Sequence, residues 1–153
     1  MNTKKLAYAI ASFALVGLAI AVYSFLHNQS LASGEFCTIG ETFNCDVVNK
    51  GPYSVFLGIP VSVIGIMGYL FIIIGSIMLA NKPKDKALLW FVSVATASGL
   101  MFSLYLTGIE AFVLDTWCLL CLTSQAMMAL ITAAVVGIWY TDCKDSKNKK
   151  ESM

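Results

Sequence analysis

The sequence predicts an all-α integral membrane protein, a four-helix transmembrane bundle with a long first extracytoplasmic loop. Of its 153 residues, 58% are hydrophobic and 12% are charged, and the mean hydropathy of +0.78 is well above that of an average soluble domain. Four stretches without a charged residue each reach the roughly 20 residues that a helix needs to cross a bilayer. These predicted spans cover residues 6–26, 58–80, 87–106 and 116–140.

Little of the chain remains outside these spans, so we expect one transmembrane domain over residues 1–153 and no separate soluble domain. Pro60 is expected in the first turn of the second helix, where its missing N–H costs nothing. Asp115 or Thr116 is expected to cap the fourth helix. Small residues in the second and third spans predict close helix contacts: Gly65, Gly68, Gly75, Ala95, Ala97, Ser98 and Gly99.

The lysines predict the orientation, and the chain has no arginine. Nine of the ten lysines lie before the first span, between the second and third spans, or after the fourth span, whereas Lys50 lies between the first and second spans. By the positive-inside rule both termini are cytoplasmic, and the connections after the first and third spans lie outside the cell. We therefore expect a multi-pass protein of the plasma or bacterial inner membrane. The net charge of +1 gives no reason to expect a nucleic acid partner.

A cleaved signal peptide is the competing interpretation of the first span. Residues 30–32 have the small-x-small form that a signal peptidase accepts. The apolar run is longer than the usual hydrophobic region of about 7 to 15 residues, however, and this length favours a retained helix.

Four of the five cysteines fall on the predicted outer side. Cys118 and Cys121 form a C-x-x-C pair at the start of the fourth helix, where the helix dipole stabilises a thiolate and a small disulfide ring is easily reopened. Cys121 lies one turn deeper and would face the apolar bundle, which favours a lipid-soluble redox partner. Cys37 and Cys45 lie in a loop with a glycine, which would let Cys45 move between Cys37 and the C-x-x-C pair.

Other interpretations of these residues remain open. The four outer cysteines could form two permanent structural disulfides. A zinc site made of all four is disfavoured because Cys37 and Cys45 lack the usual short ligand spacing, and no metal is expected. Cys143 follows the fourth span and is expected to be a bystander thiol. Glu110 and Asp115 could tune thiol acidity, but solvated loop acids are the favoured interpretation.

These motifs occur together in an order that resembles the vitamin K epoxide reductase family in its prokaryotic form. The order is C-x7-C in the first outer loop, N-C-D-V over 44–47, S-V-F-L-G-I-P-V over 54–61 leading into a glycine-rich span, and C-x-x-C opening the fourth helix. The resemblance covers roughly residues 6–140. Disulfide-bond formation protein B also uses four helices, but it carries its C-x-x-C in the first outer loop.

The resemblance implies an electron relay. Cys121 would exchange electrons with a quinone of the menaquinone or ubiquinone type, Cys118 would pair with Cys121, and Cys45 would exchange with Cys118. Cys37 would exchange with a separate thioredoxin-like or DsbA-like protein. The implied activity is that of a thiol:quinone oxidoreductase driving disulfide formation. The alternatives are a quinone or vitamin K epoxide reductase acting in quinone recycling, and a non-catalytic membrane protein with two structural disulfides.

The resemblance also suggests which residues hold the quinone, together with Cys121. Gln125 stands where vertebrate members have a tyrosine, and it could equally be a polar contact between helices. The second span lacks the asparagine of those members, and Val61 and Ser62 are nearest to its place, so plain quinone reduction is favoured over epoxide reduction. Segment 52–57, with Phe56, is expected to be a half-helix or an ordered loop over the bundle.

Overall fold

The computed structural model describes residues 3–32 and 44–151, with side chains through residue 144. Cys37 and the rest of segment 33–43 lie outside the described residues. In chain order the elements are α1 (Thr3–Asn28), α2 (Cys45–Lys50), a 3-10 helix (Pro52–Ser54), β1 (Val55–Phe56), β2 (Ile59–Pro60), α3 (Val61–Asn81), α4 (Lys86–Ile109), a π-helical segment (Glu110–Leu114) and α5 (Leu119–Glu151).

Within residues 3–32 and 44–151, four helices are long and apolar enough to cross a membrane, and they confirm the predicted fold class. The candidate spans are Thr3–Asn28, Val61–Asn81, Lys86–Leu114 and Leu119–Lys144. Helix α1 packs mainly against α3 and α5, and α4 closes the ring by packing against the same two helices. Buried residues make up a third or less of each span, and many large apolar side chains of the spans are exposed, as a lipid surface requires.

Small residues allow the helices to approach closely. A Cβ atom on Gly17 of α1 would lie 2.2 Å from the Tyr69 ring of α3, and one on Gly75 would lie 2.9 Å from Val92 of α4. Either substitution would therefore require the facing side chain or the helix that carries it to shift. The prediction of close contacts is confirmed for Gly75, whereas a Cβ on Gly68 would meet no atom within 4 Å.

The third span is longer than predicted. Helix α4 extends to Ile109 and continues without a break into the π-helical turn Glu110–Leu114. Asp115 ends this turn in the left-handed conformation (φ 47°), and its N–H donates to the Glu110 carbonyl. The predicted outer loop after residue 106 is thus mostly helical, and the solvated position favoured for Glu110 is wrong because this side chain is only 2% exposed.

The second span begins later than predicted, and Pro60 lies before the helix rather than in its first turn. Strands β1 and β2 form an antiparallel hairpin that pairs Val55 with Pro60 and Phe56 with Ile59. Leu57 (φ 52°) and Gly58 (φ 84°) form its two-residue turn, since positive φ at both central positions matches the twist of paired strands. The half-helix considered for 52–57 is therefore a 3-10 turn followed by a strand.

Candidate active site

Helix α2 places Cys45 at its first residue. The Asn44 side chain caps this helix by accepting hydrogen bonds from the N–H groups of Asp46 (3.0 Å) and Val47 (3.3 Å). The Asn44 N–H donates to the carbonyl of Trp117, 3.2 Å away, just ahead of α5. The cap and this backbone bond together fix Cys45 beside the start of α5.

The end of α1 also holds α2 in place. The Nε2 atom of the buried His27 side chain lies 3.4 Å from a carboxylate oxygen of Asp46. The Nζ atom of Lys50 lies 2.8 Å from the same oxygen. The hydrogen bond from Lys50 lowers the pKa of Asp46 most, with His27 adding a smaller charge effect against the cost of burial. The Asn28 side chain donates to the Asn49 carbonyl. Helix α2 is thus tied to α1 at several points.

Cys118 occupies the position just before α5 and takes the role predicted for Asp115 or Thr116. Its sulfur accepts a hydrogen bond from the Cys121 N–H at 3.4 Å, and its carbonyl accepts from the Leu122 N–H at 3.0 Å. This is the bonding pattern of a helix N-cap residue. Cys118 was expected in the first turn, but the structure makes it the cap itself.

The Cys45 and Cys118 sulfurs lie 3.3 Å apart, and both residues are fully buried. Cys45 is disulfide-bonded, whereas Cys118, Cys121 and Cys143 are free thiols. A thiol in contact with a disulfide sulfur is placed for thiol-disulfide exchange.

The surroundings of Cys118 favour its thiolate. The pKa of Cys118 is lowered, chiefly by the hydrogen bond from the Cys121 thiol and further by backbone N–H groups at the start of α5. Burial and the nearby Glu110 carboxylate oppose this effect without reversing it. The Asn49 amide nitrogen lies 3.9 Å from the Cys118 sulfur, at the long limit for such a bond. A thiol held this way is a better nucleophile and leaving group than an ordinary cysteine near neutral pH.

Glu110 is the main site residue that sequence reasoning misplaced. Its Oε2 accepts a hydrogen bond from the Cys118 N–H at 3.0 Å, while its Oε1 has no hydrogen-bond partner. The signal that could have revealed it is a single acid in the otherwise apolar run from 104 to 114. An ionisable residue inside a membrane span is a functional candidate by default.

A cavity of about 470 Å³ lies inside the bundle beside Cys121. Its walls are mostly apolar, and Glu110 is the one carboxylate among the described residues that line it. Tyr69, also missed from the sequence, has its hydroxyl 2.7 Å from the Ser124 hydroxyl on this wall. Other polar groups on the wall are Ser24, Asn28, Asn49, Tyr53, Ser54, Ser62, Ser98, Ser103 and Thr107.

The residues expected to hold a quinone divide into two groups. Cys121, Val61 and Ser62 line the cavity. Gln125 does not, and its side-chain oxygen accepts a hydrogen bond from Thr107, a contact between α5 and α4. Phe56 packs edge to face on Phe102, a lining residue, with ring centroids 5.7 Å apart. Phe56 is therefore not itself a lining residue but contacts one.

The fold and the site agree with a comparison against protein-family models. The model of the vitamin K epoxide reductase family matches residues 8–136, which include the second and third spans in full, most of the first and fourth spans, and both cysteine pairs. Members of this family are membrane oxidoreductases that act on quinones. The chain is a multi-pass membrane protein and belongs to the vitamin K epoxide reductase family.

Proposed function

We propose that this protein is a thiol:quinone oxidoreductase that passes electrons from a thioredoxin-like protein through Cys37 and Cys45, then through Cys118 and Cys121, to a quinone. The observation that carries the proposal is the 3.3 Å contact between the sulfur of Cys118 and that of the disulfide-bonded Cys45. It joins the two cysteine pairs in space. We take Cys37 to be the disulfide partner of Cys45.

The first half of the cycle moves electrons between the cysteine pairs. A dithiol of the partner protein reduces the Cys37–Cys45 disulfide and is itself oxidised to a disulfide. The Cys45 thiolate attacks Cys118 in a Cys118–Cys121 disulfide, which forms a Cys45–Cys118 bond and releases the Cys121 thiolate. Cys37 then attacks Cys45 and releases the Cys118 thiolate. The loop pair is again oxidised and the C-x-x-C pair is a dithiol, a state that the disulfide at Cys45 and the free thiols of Cys118 and Cys121 support.

The second half returns the C-x-x-C pair to a disulfide. The cavity lies within the roughly 300 to 1,000 Å³ of small-molecule sites, and its apolar wall suits a lipid-soluble ring. A quinone would be held there by Cys121, Ser62, Val61 and Tyr69. When bound, it would accept two electrons and two protons. Cys118 and Cys121 give up two protons and two electrons as their sulfurs join. The free Oε1 of Glu110 can hold one of these protons at the cavity wall.

The orientation and partner complete the proposal. The lysine distribution supports cytoplasmic termini, which would place both cysteine pairs on the outer face, where exported proteins acquire disulfides. The chain would then act as one transmembrane domain that receives electrons from a separate thioredoxin-like or DsbA-like protein.

The test is a quinone-reduction assay with the purified full-length protein in detergent. A reduced thioredoxin-like donor is mixed with menaquinone or ubiquinone analogues, and the quinone absorbance is followed. We expect bleaching that is lost in Cys37→Ala and Cys118→Ser and kept in Cys143→Ser. Vitamin K epoxide in place of quinone tests the recycling alternative. Failure of every donor to support cysteine-dependent bleaching would overturn the proposal.

A further inference from the structure

Three ligand-type side chains meet where the π-helical turn joins α5. One carboxylate oxygen of Glu110 and the sulfurs of Cys118 and Cys121 all lie within 4.8 Å of one another. Glu110 is 2% exposed and Cys118 is fully buried, whereas Cys121 lines the cavity. The three donors therefore surround one point that can be reached from the cavity.

The two oxygens of the Glu110 carboxylate have different surroundings. Oε2 accepts the Cys118 N–H at 3.0 Å and is thereby fixed, but Oε1 is buried without a hydrogen-bond partner. Buried polar atoms are nearly always partnered, because an unsatisfied one destabilises the fold. A cation placed between Oε1 and the two sulfurs would satisfy this oxygen.

The donor set selects the kind of cation. Two thiolates and one carboxylate suit zinc, which takes sulfur ligands and holds four groups in a tetrahedron. Magnesium and calcium prefer six or more oxygen ligands and would be poorly served. Three protein ligands also leave the fourth zinc position open toward the cavity.

We propose that Glu110, Cys118 and Cys121 form a zinc-binding site that exists only while the C-x-x-C pair is reduced. Oxidation joins the two sulfurs in a disulfide and removes two of the three ligands. The proposed electron transfer is not needed for zinc to bind. If that reaction takes place, bound zinc inhibits it by occupying both sulfurs.

The binding test uses the full-length chain in detergent with Cys37, Cys45 and Cys143 changed to serine, so that Cys118 and Cys121 are the only thiols. Zinc binding is measured by competition with a chromogenic chelator, before and after oxidation with diamide. We expect one zinc per reduced chain and none after oxidation. No binding to the reduced chain, or equal binding after oxidation, would overturn the proposal.

A matched pair of variants tests the carboxylate ligand. Glu110→Gln keeps an oxygen to accept the Cys118 N–H but loses the negative charge, and it should weaken zinc binding at least about tenfold, since even indirect ligand contacts contribute that much. Asp115→Asn removes a nearby acid outside the cluster and should leave the affinity unchanged. Equal affinities in the two variants would remove Glu110 from the site.

A measurement on the wild-type chain covers the case in which a variant misfolds. Zinc should slow the alkylation of Cys121 by a small maleimide in the reduced protein, as mapped by peptide mass spectrometry. Cys143, exposed at the far end of α5, serves as the internal control and should react at the same rate with or without zinc. Unchanged labelling of Cys121 at saturating zinc would contradict the site.

Discussion

The sulfurs of Cys45 and Cys118 are 3.3 Å apart although 73 positions separate the two residues in the chain. Two independent contacts hold them there, the Asn44 backbone bond to Trp117 and the capping role of Cys118 at α5. The contact links helix α2, which lies between the first and second spans, to the start of α5, where Cys121 lines the cavity.

Replacing Cys121 with serine should trap the bond between the two pairs. With Cys121 absent, Cys118 can only attack the Cys45 disulfide and release Cys37, which could attack Cys45 in return. A maleimide is therefore added to alkylate the released Cys37, whereas Cys118 is fully buried, so we expect a Cys45–Cys118 disulfide and an alkylated Cys37. Disulfide mapping by mass spectrometry measures both products, and Cys143→Ser in the same background should change neither. A non-catalytic protein with permanent disulfides would instead keep its loop disulfide and a free Cys118.

The rate of this trapping should depend on pH through the Cys118 thiolate. Because the hydrogen bond from Cys121 and the backbone N–H groups lower the pKa of Cys118, the rate should rise with pH and reach half its maximum below the roughly 8.5 of an ordinary thiol. Serine at position 121 still offers a hydroxyl donor, whereas alanine does not.

Comparing Cys121→Ser with Cys121→Ala therefore isolates that hydrogen bond. The half-maximal pH should be higher for alanine, as measured by acid quenching and mass spectrometry across a pH series. Identical pH profiles for the two variants would show that the side chain at position 121 does not set the acidity of Cys118.

Asn44→Ala should loosen the placement of Cys45. The substitution removes the acceptor for two N–H groups of α2, and loss of such a cap costs about 1 kcal/mol. We expect a lower thermal midpoint and slower Cys45–Cys118 trapping in the Cys121→Ser background. Asn44→Asp keeps the acceptor and should retain both properties. Equal trapping rates for alanine and aspartate would mean that the cap does not position Cys45.

Gly68→Leu should block the cavity without disturbing the helix packing. A Cβ atom at Gly68 meets nothing within 4 Å, and this residue lines the cavity, so a leucine side chain would occupy space proposed for the quinone. Quinone reduction should fall at least about tenfold, which corresponds to a loss of about 1.4 kcal/mol of binding free energy. Exchange between Cys45 and Cys118 should continue.

Gly108→Leu is the matched control for this prediction. Its Cβ position is equally open, but it is not among the lining residues. Both rates should stay near those of the unmodified protein. Equal loss of quinone reduction in the two leucine variants would indicate a general effect on the bundle rather than a blocked cavity.

The four spans, the C-x-x-C pair and the family resemblance could be predicted from the sequence alone. Uninterrupted apolar runs determine spans because a bilayer cannot accept unpaired backbone groups outside a helix. Cysteine order and spacing are likewise properties of the chain, so the family model and the sequence motifs agree.

The tertiary structure decided how these parts meet. The π-helical turn and the left-handed Asp115 that ends it bring Glu110 to the Cys118 N–H, and no local pattern predicted this turn. Gln125 bonds Thr107 instead of lining the cavity, since side-chain direction depends on the neighbouring helix. Hydrophobic runs determine which segments enter the membrane, but contacts between distant residues determine which side chains share a cavity, and no single run contains that information.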